Sequence, residues 1–351
     1  MSEAPASRME FPAVFSALPK AELHLHLEGS IRPETAVELA ARHGADLTAQ
    51  AVSARYNYAD FAGFIEAFKW VTSFLREPED YALITRALCE ELVRQRVLYA
   101  EITISAGVML RRMQNVEANF AAIREASLSV PFSRLRTAYI FDAARQFGPE
   151  SASEVARAAA RLQPAGVIAY GMGGDELALP AVNFRPAFDL ARQEGLRIVC
   201  HAGEIGGPGS IRDAIEILGA ERIGHGIAAM HDPALAEFLS VRGIALENCP
   251  SSNLCTSALA KQIGAPAAAL ADHPLPKFIA AGVPVVLATD DPAMFHTDLL
   301  AEYAAAASLG LSTARLLRLA EQSFHSAFLP PADKRRYLDD FHAAAKSAGL
   351  L

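Results

Sequence analysis

Ala21-Glu22-Leu23-His24-Leu25-His26-Leu27-Glu28 is the stretch on which the fold turns. Side chains alternate along a strand, so His24 and His26 project to one side and Leu25 and Leu27 to the other, toward a helical layer. Seven further apolar or β-branched runs of strand length follow, at Val97–Ser105, Arg134–Asp142, Gly166–Gly173, Arg197–Glu204, Arg222–Ile227, Ile244–Cys249 and Pro284–Asp290. Amphipathic helical stretches separate them, which is the pattern of parallel β/α units. Eight units predict an α/β fold, a closed (β/α)8 TIM barrel, in preference to an open doubly wound sheet. No G-x-G-x-x-G follows the first run, which weakens the dinucleotide-binding alternative further.

Extra helices are expected in the first βα connection and at the C-terminus. The connection holds a helix over Pro33–His43, with Ser30 near its N-cap and Pro33 in its first turn. It continues through Asp60–Leu75 before a helix over Pro78–Arg94. Phe61, Phe64, Ile65 and Phe68 recur at helical spacing, either as ordinary core packing or as an apolar lid over the barrel mouth. The tail, Ser312–Leu351, reads as two helices split at Pro330-Pro331 and packed on the outside of the barrel. There is no repeat beyond the β/α alternation and no low-complexity linker, so residues 1–351 read as a single domain, with residues 1–10 expected to be disordered.

Composition narrows the function classes. The chain has 351 residues, 52% hydrophobic and 21% charged, a globular balance with ample core material. The formal net charge is −8, and basic residues cluster no further than Arg111-Arg112 and Lys334-Arg335-Arg336. A nucleic-acid partner, which needs a concentrated basic footprint, is disfavoured. Cys89, Cys200, Cys249 and Cys255 form no C-x-x-C pair, so neither a disulfide framework nor a cysteine-type zinc site is indicated. The opening residues lack the order of a signal peptide, and no apolar run reaches the roughly 18 residues of a membrane span. A cytoplasmic protein with no membrane partner is the expectation.

The strand ends carry the chemistry. Two imidazoles on one face of a first barrel strand form a chelating pair, and two buried histidines without a ligand are hard to satisfy. His201 ends the fifth run, His225 the sixth, and Asp290-Asp291 the eighth. C-terminal strand ends of a barrel converge on one mouth, so these residues meet. Nitrogen and oxygen donors without thiolate suit Zn²⁺, with Fe²⁺, Mn²⁺ or Co²⁺ as alternatives. His43, His231, His273, His296, His325 and His342 read as surface or locally bonded histidines, and Cys200 faces away from the mouth by alternation.

At this point the sequence resembles the adenosine deaminase family of metal-dependent amidohydrolases. The resemblance rests on ordered blocks: Lys20 to Ser30 (KAELHLHLEGS), Gly173-Gly174-Asp175-Glu176, His201-Ala202-Gly203-Glu204, Arg222-Ile223-Gly224-His225-Gly226, Cys249-Pro250-Ser251-Ser252-Asn253 and Thr289-Asp290-Asp291-Pro292. It implies one zinc ion per chain, held by His24, His26, His201 and Asp290. It further implies that Glu204 protonates purine N1, that His225 orients and helps deprotonate the nucleophilic water, that Asp291 meets N7, and that the Gly174 backbone N–H meets N3. Zinc lowers the pKa of its water to about 7, which supplies the nucleophile for C6, and protonation of N1 makes C6 electrophilic. Competing readings stay open: Glu204 as a helix-start acid, Asp291 as a turn cap, Gly174 as a turn glycine, and His225 as a further nitrogen ligand.

The pattern departs from the family at two places. Glu28 stands where adenosine enzymes carry aspartate against the ribose 5′-hydroxyl; relatives that act on adenine or on 5′-altered nucleosides tend to carry glutamate. Gly171-Met172 stands where adenosine enzymes tend to have an acidic residue, which is expected to open space near the purine. The first expectation is hydrolytic deamination of adenosine to inosine and ammonia. Aminodeoxyfutalosine, a menaquinone-pathway nucleoside with a 5′ extension, and free adenine are the alternatives. Ser105, Asp142 and Arg145 are candidate contacts to the sugar or its extension; Arg145 reads equally as a solvated residue at a helix start. The fourth run offers no bridging lysine or carboxylate, so a single metal is expected, and the intact ligand set disfavours a non-catalytic barrel.

Overall fold

The computed structural model describes residues 15–131 and 134–351. The expectation about residues 1–10 lies outside the described residues. Eight strands form one parallel sheet in sequence order: β1 Lys20–His26, β2 Val97–Ile104, β3 Arg136–Ala144, β4 Val167–Gly173, β5 Arg197–Ala202, β6 Arg222–His225, β7 Ala245–Asn248 and β8 Val285–Leu287. Helices connect them, as the parallel direction demands. The protein is a (β/α)8 barrel, and each strand overlaps the run expected for it.

Closure falls on the functional residues. β8 ends at Leu287, and the chain then bends back to β1, where Leu25 bridges Asp290. His26 N–H donates to the Asp290 carbonyl at 2.8 Å, and Asp290 N–H donates to the His24 carbonyl at 2.9 Å. Every residue of β1 is buried, because one face meets the helices and the other the barrel interior. Leu23, Leu25 and Leu27 lie in the main core, and burying each contributes about 1.5–3 kcal/mol.

The first connection contains helices Pro33–Arg42, Ala49–Arg55, Phe61–Thr72 and Pro78–Arg94. Asp60 caps the third by accepting from Gly63 N at 2.9 Å. Ser30 does not sit at the N-cap of the first. That position is Arg32, with no side-chain cap, and Pro33 starts the helix with its fixed φ. Ser30 instead ends a short 3-10 turn, and its hydroxyl donates to the Leu27 carbonyl at 2.6 Å, satisfying a group freed where β1 stops. The tail forms helices Thr313–Ser326 and Pro331–Ser347, the first packed against β1 and β8. The link between them does more than lie outside. Phe328 packs against the barrel cluster of Ile140, Ala169 and Val199, and its N–H donates to Glu101 at 2.6 Å. No helix among the described residues is long and apolar enough to cross a membrane.

Candidate active site

The strand ends converge as the barrel geometry requires. His24, His201, His225 and Asp290 each place one nitrogen or oxygen within 4.8 Å of the others. His26 closes on the same point, with Nε2 3.3 Å from both His201 Nε2 and Asp290 Oδ1. His24 Nε2 lies 3.4 Å from Asp290 Oδ1 and, although buried, has no hydrogen-bond partner. A buried ring nitrogen aimed without a partner at three other donors fits a metal ion. His225 and Asp290 both adopt left-handed backbone, with φ of 60° and 63°. Such residues cost about 1–3 kcal/mol and concentrate at functional sites.

The converging residues are held from behind. Glu247 on β7 accepts from His24 Nδ1 at 2.8 Å, which directs Nε2 to the centre. Arg222 grips Glu247 at 2.6 Å and Glu101 at 2.5 Å, with all three groups buried. Ser252 Oγ donates to Asp290 Oδ2 at 2.7 Å. Burial first, then the neighbouring imidazoles, lowers the His201 pKa well below its ordinary value, and burial lowers His26 to about 4, so both rings are neutral donors.

Three carboxyl groups beside this centre are pushed the other way. Burial, with Asp290 and Glu176 adding, raises Glu204 to about 8. Burial and the adjacent Asp290 raise Asp291 well above the carboxylate range. Burial raises Glu28 to about 7. Asp291 Oδ1 and Glu28 Oε2 are buried without partners. Asp291 occupies the space that a Cβ on Gly29 would fill, so its carboxyl group lies directly over the turn after β1.

The loop carrying Glu204 is shaped by a residue to which sequence reasoning gave no role. The Glu176 carboxylate accepts from the backbone N–H groups of Gly203 at 2.5 Å, Glu204 at 3.2 Å, Ile205 at 2.9 Å and Gly206 at 2.8 Å. Glu176 was visible in the Gly-Gly-Asp-Glu block; its target was not. Glu247 had a weaker signal, a lone carboxylate inside an apolar strand. Asn253 and His273, which link to His225, were also missed.

The remaining expected residues divide. Ser105 N–H donates to Glu28 Oε1 at 3.0 Å, so these two meet beside the mouth. Phe61, Phe64 and Ile65 share one helix; Phe64 is buried 5.0 Å from Phe295, four residues beyond Asp291, while Phe61 and Ile65 are half-buried. Gly174 directly follows β4, with φ of 85°. Arg145 is buried; it donates to the Leu179 carbonyl at 3.1 Å and lies over Phe184, so it is not solvated. The space expected at Gly171 is filled. A Cβ there would come within 3.0 Å of Asp142 Oδ1, and one at Gly173 within 3.1 Å of Oδ2. A carboxyl group from β3 occupies what β4 leaves vacant, and burial raises its pKa to about 8.

The sequence model of the adenosine deaminase family matches residues 19–344. The chain belongs to the adenosine deaminase family of metal-dependent hydrolases. Among its relatives within this deaminase family, the aminodeoxyfutalosine deaminase of Streptomyces avermitilis is 41% identical, over 94% of this chain and 92% of that protein. The adenine deaminase of Agrobacterium fabrum is 35% identical, over 92% and 98%. The crystal structure of an adenine deaminase from Arthrobacter aurescens superposes with a TM-score of 0.86 at 29% identity, covering 94% and 99%. The protein is a deaminase-family hydrolase acting on an amidine C–N bond, and adenosine, the substrate first expected, is not what these relatives are named for.

Proposed function

We propose that this deaminase hydrolyses the 6-amino group of a purine whose sugar side differs from ordinary adenosine. Aminodeoxyfutalosine is the first reading. The observation that carries it is Glu28: its side chain is anchored by Ser105 N–H, and its Oε2 is buried with nothing to bond. A buried polar atom without a partner costs about 1–3 kcal/mol, and a ligand group can recover that. Adenine is the second reading, favoured by the likeness to adenine deaminases.

His24, His26, His201 and Asp290, three imidazoles and a carboxylate that draw together at one point, would hold zinc, one ion per chain. Zinc held there would lower the pKa of a water to about 7 and so supply the nucleophile. The chain's own residues do the rest. Glu204, which keeps its proton up to a pH of about 8, delivers it to N1. Purine N7 only accepts hydrogen bonds, so Asp291 meets it in the protonated form that its raised pKa favours. Gly174 offers its N–H to N3. Phe61, Phe64 and Ile65 cover the mouth, and Asp142 and Ser105 lie toward the sugar side. We read the chain as one domain; its four free cysteines fit a reducing cytoplasm.

Ammonia release from aminodeoxyfutalosine, adenine, adenosine and 2′-deoxyadenosine by the zinc-loaded enzyme tests this. The expected kcat/KM for aminodeoxyfutalosine exceeds that for adenosine by about 100-fold or more. A preference for adenosine overturns the proposal, and a preference for adenine selects the second reading.

A further inference from the structure

A line of buried hydrogen bonds runs into the site from behind His225, and its direction is fixed at the far end. Leu275 N–H lies 3.2 Å from His273 Nδ1. A backbone N–H can only donate, so Nδ1 accepts. His273 is 3% exposed, and burial lowers its pKa to about 3, which keeps the ring neutral. Its one hydrogen therefore sits on Nε2, 3.2 Å from Asn253 Oδ1. Asn253 is fully buried, and its carbonyl accepts that hydrogen. The other end of the amide, Nδ2, is then the donor facing His225 Nδ1 at 3.1 Å. Turning the amide round would set two donors against each other at His273, at the cost of a buried unsatisfied pair. His225 Nδ1 is thus an acceptor, and the neutral ring carries its hydrogen on Nε2. That atom faces the centre, 3.7 Å from Glu204 Oε2 and 3.8 Å from Asp290 Oδ2.

We propose that Asn253 and His273 are positioning residues that lock His225 in the Nε2–H form, so that it donates a hydrogen bond to the attacking water and serves as neither a metal ligand nor, in this form, a proton acceptor. The kinetic half of this inference rests on the deaminase reading; the tautomer does not. The expectation that His225 helps to deprotonate the water changes accordingly. His225 orients the oxygen through a hydrogen it already holds, and its Nε2 lone pair is not available to a metal.

Nitrogen-15 NMR of the zinc-loaded, histidine-labelled protein reads the tautomer directly, with His225 assigned by its loss in His225→Gln. Hydrogen on Nε2 with a bare Nδ1 is expected. Asn253→Asp keeps the shape but replaces the donor with an acceptor. The hydrogen should move to Nδ1 and kcat fall on the order of 100-fold, with KM and zinc content retained. His273→Leu should lower kcat about tenfold, and His273→Gln, which keeps an N–H for the Asn253 carbonyl, should recover it. Hydrogen on Nδ1 of His225 in the unaltered protein overturns the proposal whatever the variants do. So does an Asn253→Asp protein with unchanged tautomer and kcat. An unaltered enzyme with the Nε2–H tautomer but no ammonia release from any 6-aminopurine would leave the lock standing and refute the functional reading.

Discussion

At Glu204 a carboxyl group is held where water cannot stabilise its charge, and the consequence is measurable apart from catalysis. Its ordinary pKa of 4.5 is raised to about 8 in the folded protein. Between those values the unfolded chain has released a proton that the folded chain keeps. Stability therefore declines as pH rises through this window, by about 1.4 kcal/mol per pH unit. Glu204→Gln removes the titrating group. In metal-free protein the variant's stability advantage should be small at pH 5, grow toward pH 8 and level off above it; an advantage that does not vary with pH would contradict the assignment. The same variant should bind zinc and lose at least about 100-fold in turnover. The residues at this scale were unequally legible in the sequence. His24, His26, His201 and Asp290 stood out because strand ends of a barrel converge. Glu28 stood out as one methylene too many. Asn253 and His273 did not, because what matters about them is which nitrogen holds a hydrogen, and that is set by the Leu275 N–H two residues beyond His273, in a segment separate from Asn253.

The elements were legible because parallel strands buried on both faces read as apolar runs, and all eight expected runs became strands. The connections between them were harder, since their polar partners come from elsewhere in the chain. Ser30 looked like a cap but bonds backward to Leu27, and Gly171 looked like an opening but makes room for Asp142. The loop over residues 203–206 shows the same thing at its most consequential. Its backbone N–H groups point at Glu176, which lies on the preceding βα connection, and so one carboxylate fixes the position of Glu204. Glu176→Gln replaces one acceptor oxygen with a donor facing those N–H groups. Destabilisation of about 2 kcal/mol in urea unfolding is expected, together with a fall in kcat as the loop unseats Glu204. Unchanged stability and unchanged kcat would show that the loop holds its shape without Glu176.

Across the whole molecule the metal centre is tied to the opposite end of the barrel. His24 leans on Glu247, Glu247 on Arg222, and Arg222 on Glu101 and the Ser326 carbonyl, while Phe328 from the C-terminal link caps the guanidinium at 3.9 Å. This line joins residues more than two hundred positions apart, and no local pattern in the sequence announces it. It makes the fold and the site one structure: a tail that mostly covers the outside of the barrel also steadies His24. Because these groups converge only in the folded chain, a metal ion bound among them would stabilise that chain by mass action. On the proposed function, this convergence holds one zinc ion on which turnover depends. Chelated protein should be inactive, and titration with Zn²⁺ should restore ammonia release in proportion to bound metal, with a plateau at about one ion per chain. Full turnover in the metal-free protein, or a plateau at two ions per chain, would contradict it.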